Sequence, residues 1–381
     1  MKIALPDATG RKVDYALTGV PVAGAVLGAN PARVVYAAAH VVVDPFADAD
    51  PGGRAAIDWG RTLAFRRHLA GLGLGIAEAM DTAQRGMGLD WPGALELIRQ
   101  TRAELPEALV ANGCGTDHLG PGAHSLDAVR RAYLEQVEAI QAVGGRIILM
   151  ASRALVQAAR GPEDYLAVYG DVLAACDHPV ILHWLGEMFD PSLAGYWGVA
   201  GFDAAMEVAL AVISANVGKV DGIKISLLDK DKEIVMRRRL PLGVKMYTGD
   251  DFNYPALIEG DAQGFSHALL GIFDPLAAAA AVAVARLGAG DAAGFRAVLD
   301  PTVPLARCIF RAPTQHYKTG VVFLAWLNGF QDHFILLNGA QAMRPLPYFC
   351  KVFRLADACG VLRDPGMAVA RMRRLLALYG A

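Results

Sequence analysis

Eight short apolar runs, separated by helix-length segments, occupy residues 33 to 273. They read "RVVYAAAHVVV" (33–43), "GLGIAEAM" (73–80), "EALVANG" (107–113), "RIILMAS" (146–152), "PVILHW" (179–184), "DGIKIS" (221–226), "GVKMYTG" (243–249) and "GFSHALLGIF" (264–273). Helix-like stretches lie at 59–71, 91–104, 125–143, 163–176, 201–216 and 275–288, with a shorter segment at 253–261. Strands that alternate with helices predict a parallel sheet, and eight of them predict a (β/α)8 TIM barrel in the α/β class. A doubly wound open sheet is the rival. No GxGxxG turn follows the first run, which counts against it.

After residue 290 the strand pattern stops, and helical segments are predicted near 302–311, 318–328, 347–359 and 365–379. The expected organisation is an N-terminal cap or hairpin (1–30, with "DATGRKVDYALTG", 7–19, read as the short hairpin or cap itself), a barrel (31–290) and a helical C-terminal extension (291–381) packed on the barrel.

Composition narrows the function. Hydrophobic residues make up 54% of the chain, enough for a large buried core. The longest apolar run, "LAAAAAVAVA" (276–285), is far shorter than the roughly 20 residues of a membrane span. The start, "MKIALPDATGRK", lacks a signal-peptide core, so a cytoplasmic location without a membrane partner is expected. With 36 basic and 38 acidic residues there is no charge bias toward nucleic acid, and "MRRRL" (236–240) reads as a solvated loop. The five cysteines show no CxxC spacing and are expected to be reduced and mostly buried.

The stretch "VDGIKISLLD" (220–229) raises the chemical question. Alternation puts Lys224 on one face with Gly222 and Ser226, opposite Ile223 and Ile225. The lysine is then either on a wet face or inside the barrel. Other polar residues recur near strand ends, where barrel active sites are built. They are His40, Glu78, Asp81, Asn112, Asp117, His118, Ser152, Arg153, His183, Glu187, Thr248, Asp250, Asp251 and His267. Together they could hydrogen-bond a hydroxylated substrate. Singly, His40 or His267 can be a satisfied core histidine, and Asp117 or Asp250 a turn or cap residue.

The order "PVILHW", "VDGIKIS", "GVKMYTGDD", "GFSHALLG" resembles strands five to eight of the dihydrodipicolinate synthase and N-acetylneuraminate lyase family. "LVANGCGTD" (109–117) resembles its third strand and loop, and "AIDWGRTLAFRRHLAGLGLG" (56–75) its first helix and the approach to strand two. The resemblance implies a class I aldolase barrel assembled as a homo-oligomer, a dimer or tetramer. It further implies that Lys224 forms a Schiff base with the substrate carbonyl, with no cofactor beyond that covalent iminium. Burial would favour the neutral amine this chemistry needs. Lys245 is the second candidate nucleophile, expected to serve as a charge partner.

The chain departs from the family in two places. His183 stands where the family has a proton-shuttling tyrosine, and can itself act as acid or base; Tyr196 and Tyr247 rank below it as sources of a phenol. The family's Gly-Thr-Thr-Gly-Glu loop is replaced by "MDTAQRG" (80–86), which keeps Thr82. Arg85 or Arg153 could hold a carboxylate or be ion-pair residues. The insertion "GEMFDPSLAGYWGVAGFD" (186–203) is a lid or a packing loop.

The leading expectation is a Schiff-base lyase, aldolase or dehydratase acting on a polar keto or aldehyde compound, sugar-derived compounds included. Lys224 is its nucleophile and His183 its acid/base, while Asp81, Thr82, Asn112, Arg153, Asp250 and Asp251 bind substrate. The second is a divalent-metal sugar isomerase or aldolase using His40, Glu78, His183, Glu187 and Asp250 as ligands. The third is a barrel that has lost its chemistry and binds a sugar or a protein partner.

Overall fold

The computed structural model describes residues 1–7, 9–28 and 31–381. Strands β1 (Lys2–Pro6) and β2 (Lys12–Ala16) form an antiparallel hairpin. Its first strand precedes the 7–19 segment expected to hold the whole hairpin, and the second lies within it. The hairpin is held to the C-terminal helices: the Tyr15 hydroxyl donates to Asp357 at 2.8 Å, and the Thr18 N–H donates to the same carboxylate at 3.0 Å.

The eight predicted strands form a closed parallel barrel. They are β3 (Val35–Ala38), β4 (Gly75–Glu78), β5 (Val110–Cys114), β6 (Arg146–Leu149), β7 (Val180–Leu185), β8 (Val220–Ser226), β9 (Lys245–Thr248) and β10 (His267–Leu270), with β10 pairing both β9 and β3. Helices follow the strands as expected, for example Trp59–Gly71, Trp91–Glu104 and Leu126–Ala142. Asp58, Asp90 and Ser125 cap these three through their side chains, satisfying backbone N–H groups that a helix start leaves free. Three helices were not anticipated: Arg153–Ala158, Lys230–Arg237 and Ala292–Leu299. Lys230–Arg237 takes in the start of the basic cluster expected to be a loop, and Arg237 and Arg238 pair with Asp261 while Arg239 pairs with Glu207.

Side-chain parity along each strand decides what faces the barrel axis. Tyr36, Ala38, Ala77, Ala111, Ile148, Ile181, Tyr247 and Leu269 cluster inside, while Val35, Ile76, Val110, Leu182, Ile223 and Ile225 pack under the helices. The two inward tyrosines meet edge to face at 6.0 Å and plug the end where the strands begin. Gly222 makes room for this plug, since a Cβ there would sit 2.7 Å from the Tyr247 ring. Alanines above the plug leave space toward the strand C-termini.

The C-terminal segment is helical: Val303–Ile309, Tyr317–Leu327, Leu346–Ala358 and Pro365–Leu378 fall where helices were expected, and Ala292–Leu299 precedes them. Its core side chains, among them Phe310, Tyr317, Phe323 and Phe349, merge with those of β3, β4 and β10 into one hydrophobic cluster. The five cysteines are buried and free. Among the described residues, no helix is long and apolar enough to cross a membrane.

Candidate active site

Lys224 points inward. Its parity matches Gly222 and Ser226, and the isoleucines on either side pack outward. Its amine lies in a narrow recess at the C-terminal end of the barrel, walled by Asp81, Thr82, Ser226, Asp251, Phe310 and Tyr317 among others. Burial lowers the pKa of the amine, and the charges of Asp81 and Asp251 oppose that shift without cancelling it. Asp251 accepts the Ile272 N–H at 2.8 Å, and burial raises its carboxyl above the usual range.

Gly249 provides the space for the lysine stem. A Cβ at 249 would lie 2.7 Å from Lys224 Cε, 2.3 Å from Ser226 Oγ and 2.7 Å from the Ile225 carbonyl oxygen. Because one of the three contacts is backbone, Gly249→Ala is expected to push Lys224 from its position. The variant should stay folded by circular dichroism while losing about tenfold or more in amine reactivity toward carbonyl compounds, a scale typical of a misplaced reacting group.

A phenol reaches the recess from the C-terminal segment. Tyr317 is 3% exposed, its hydroxyl shares a hydrogen bond of 2.8 Å with Thr82 Oγ1, and its ring stacks on Phe310 at 4.3 Å. Burial and the nearby carboxylates raise its pKa, so the hydroxyl keeps its proton. Beside it, Lys318 is buried against the Gln315 carbonyl (3.2 Å) and Met87 Sδ (3.3 Å), and burial pushes its amine down to about 8. Among the described residues no carboxylate lies within ion-pair distance of Lys318. No local sequence pattern ties either residue to the barrel mouth.

A larger cavity of about 430 Å³ adjoins the recess, and both share Asp81 and Leu185 as wall. The recess itself holds only about 10 Å³ of free space, room for one water at most. His183 lines the larger cavity. It is 1% exposed, with Nε2 3.2 Å from Ser226 Oγ and Nδ1 without a partner among the described residues. Burial and Lys224 drive its pKa down, so the imidazole is neutral. Arg85 and Arg153 also line this cavity, and both are committed. Arg85 binds Asp117 through two bonds of 2.7 Å and Gln136 through one of 2.8 Å, while Arg153 pairs with Asp190 at 2.5 Å. The insertion 186–203 walls both spaces through Phe189, Asp190 and Leu193, and Trp197 anchors it at 0% exposure.

Several residues expected at the site lie elsewhere. Glu78 and Asn112 follow inward-facing Ala77 and Ala111, so parity turns them outward. Glu78 meets Arg66 (2.8 Å) and Thr101 (2.7 Å), and Asn112 donates to the Arg146 carbonyl at 2.9 Å. His40 pairs with Asp274 at 2.7 Å and packs on Phe65 in the helix layer. Asp250 is a turn residue, accepting from the Phe252 N–H (2.8 Å) and Asn253 Nδ2 (2.7 Å) ahead of the Tyr254–Glu259 helix. Glu187 is exposed. The five residues considered as metal ligands are therefore dispersed, and no group of three or more His, Cys, Asp or Glu among the described residues is placed to hold an ion. His267 and Lys245 open their strands, so they sit at the opposite end of the barrel; Lys245 pairs with Asp221 at 2.5 Å, as a charge partner should. Tyr247 donates to Asp221 there, and Tyr196 lies in a cluster with Tyr169.

Comparison with solved structures places the fold beside dihydrodipicolinate synthases. The chloride-inhibited enzyme from Acinetobacter baumannii complexed with pyruvate superposes with a TM-score of 0.64 at 16% identity, covering 86% of this chain and 99% of that one. The 4-hydroxy-tetrahydrodipicolinate synthase of Methylacidiphilum fumariolicum SolV gives 0.63 at 15% identity, covering 91% and 98%. Dihydrodipicolinate synthase from Thermotoga maritima gives 0.61 at 16%, again covering 91% and 98%. The fold is thus the one that the sequence resemblance implied, at an identity that speaks for architecture alone. No curated protein sequence matches the chain. A family model described as "Protein of unknown function (DUF993)" matches residues 3–381, and the chain belongs to that family.

Proposed function

We propose that this protein is a Schiff-base-forming lyase of the class I aldolase type, acting on a polar keto or aldehyde compound through Lys224. The observation that carries the reading is a buried amine of lowered pKa at the C-terminal end of a barrel strand, flanked by Asp81 and Asp251. The neutral amine attacks the carbonyl carbon, water leaves, and the resulting iminium draws electrons from the adjacent carbon. Asp251, next to the amine, handles the protons of that addition and loss of water. His183 acts on the same recess through Ser226, and Tyr317 donates from the opposite wall. Lys318, a buried amine without a carboxylate partner, favours substrates that carry an acid group. Homo-oligomeric assembly, by likeness to dihydrodipicolinate synthases, and a cytoplasmic location, from the sequence, remain part of this reading.

Borohydride reduction tests it. Protein incubated with pyruvate, and separately with other keto acids, keto sugars and aldehydes, is reduced and examined by intact mass and peptide mapping. A stable adduct on Lys224 is the expected result; adducts only on scattered surface lysines would sink the reading. Tyr317→Phe keeps the ring stack on Phe310 but loses the proton donor. It is expected to unfold like the parent and to form the Lys224 adduct about 100-fold more slowly, the low end of general acid–base effects. An unchanged rate would remove Tyr317 from the mechanism.

A further inference from the structure

We propose that Asp81 is the catalytic base for carbon–carbon bond cleavage, taking the proton from a hydroxyl on the substrate carbon β to the Lys224 iminium. The assignment rests on the Schiff-base reading and goes beyond it by fixing the class of substrate, a β-hydroxy carbonyl compound, and the bond that breaks.

The acidic side chains around the two spaces differ in what they have left to offer. Asp117 is bound to Arg85 and Asp190 to Arg153. Asp251 accepts a backbone N–H and walls the recess alone. Asp81 begins the short 3-10 turn after β4, and its backbone carbonyl accepts the Gln84 N–H. No donor among the described residues reaches its carboxylate, which walls both the recess and the larger cavity. It faces the same recess as Lys224 and Tyr317.

That position matches the order of atoms in a bound substrate. The carbonyl carbon is bonded to Lys224 in the recess, and the β-carbon lies further out, toward the wall that both spaces share. A hydroxyl on that carbon meets a carboxylate with free lone pairs. Asp81 takes the hydroxyl proton, and the O–H electron pair becomes the second bond of a new aldehyde carbonyl. The carbon–carbon bonding pair moves onto the α-carbon and reduces the iminium to a neutral enamine on Lys224. The aldehyde leaves through the larger cavity. The enamine carbon then takes a proton, and water hydrolyses the iminium to release the ketone and the amine. Dehydration would instead break the carbon–oxygen bond with a proton delivered to the departing hydroxyl, the opposite of the role assigned to Asp81.

The test uses 4-hydroxy-2-butanone, which cleaves to acetone and formaldehyde and dehydrates to methyl vinyl ketone. Adduct on Lys224 after borohydride and formaldehyde release are measured for the parent, Asp81→Asn and Asp81→Ala. In Asp81→Asn the formaldehyde released per Lys224 adduct is expected to fall about 100-fold or more. Added formate should restore part of the release in Asp81→Ala, which a merely structural role would not allow. Release per adduct within threefold of the parent overturns the assignment. So does methyl vinyl ketone as the product, an adduct in the parent with no cleavage, or parallel loss of adduct and release in both variants without formate rescue. No Lys224 adduct in the parent with any carbonyl compound overturns the Schiff-base reading, and this assignment with it.

Discussion

Lys224→Ala should abolish the borohydride-stable adduct and all turnover of carbonyl compounds while leaving the fold intact. Among the described residues the amine is the only group lining the recess that can form an iminium, and no carboxylate or phenol around it can replace a covalent electron sink. The fold should survive because the alanine removes a buried charge-bearing group rather than one half of a closed ion pair: no carboxylate sits within ion-pair distance of Lys224 among the described residues. The parent should also show selectivity with pH. Burial lowers the pKa of Lys224, so the fraction of free amine at neutral pH exceeds that of exposed lysines. Limiting reagent near pH 7 should therefore label Lys224 first, with the advantage shrinking as pH rises toward the ordinary lysine range of about 10.4. Equal labelling of surface lysines at pH 7, or undiminished adduct in Lys224→Ala, would contradict the role. Lys318, also buried with a lowered pKa, is the internal control: its adduct should not depend on residue 224.

What the sequence made legible follows physical range. The barrel strands announce themselves locally, because apolar runs bounded by polar turns repeat at short intervals, and the helix caps Asp58, Asp90 and Ser125 mark where helices begin. The inward aim of Lys224 follows from parity, since isoleucines on both sides must go under the helices. Parity also explains the errors. Glu78 and Asn112 look like strand-end ligands until small Ala77 and Ala111 are recognised as the inward residues, and small alanines give a weak signal of direction. His267 and Lys245 lie at the wrong end because each opens its strand, where boundaries are hardest to read. Tyr317 and Lys318 were out of reach for another reason. Which turn of a C-terminal helix meets the barrel mouth depends on long-range packing, here Phe310 and Phe189 against the Tyr317 ring, and no periodicity encodes that.

Breaking the Arg66–Glu78 pair should produce the largest loss of stability available from a single polar substitution here. Both side chains are 0% exposed. Arg66 Nε and Nη2 reach the two carboxylate oxygens at 2.9 and 2.8 Å, and its Nη1 donates to the His40 carbonyl. Glu78 further accepts from Thr101 at 2.7 Å and from the Ala79 N–H at 3.0 Å. Two helices, β4 and the end of β3 are joined through one guanidinium and one carboxylate. Removing either partner strands the other as an unpaired buried charge, which costs about 3–5 kcal/mol. Glu78→Leu and Arg66→Met should each shift the urea midpoint by that free energy, and the double replacement should recover a large part of it, since two apolar side chains leave no charge behind. Losses below about 1 kcal/mol in both single variants would refute this account. The pair also holds the site. Ala79 adopts φ 53°, unusual for a residue with a side chain, and its N–H is tied to Glu78 just ahead of the turn that carries Asp81 and Thr82. Single variants that still fold should therefore form the Lys224 adduct with normal affinity for small carbonyl compounds but lose the Asp81-dependent step. The residue first considered as a metal ligand thus acts from the far side of the sheet, as the support that aims the turn.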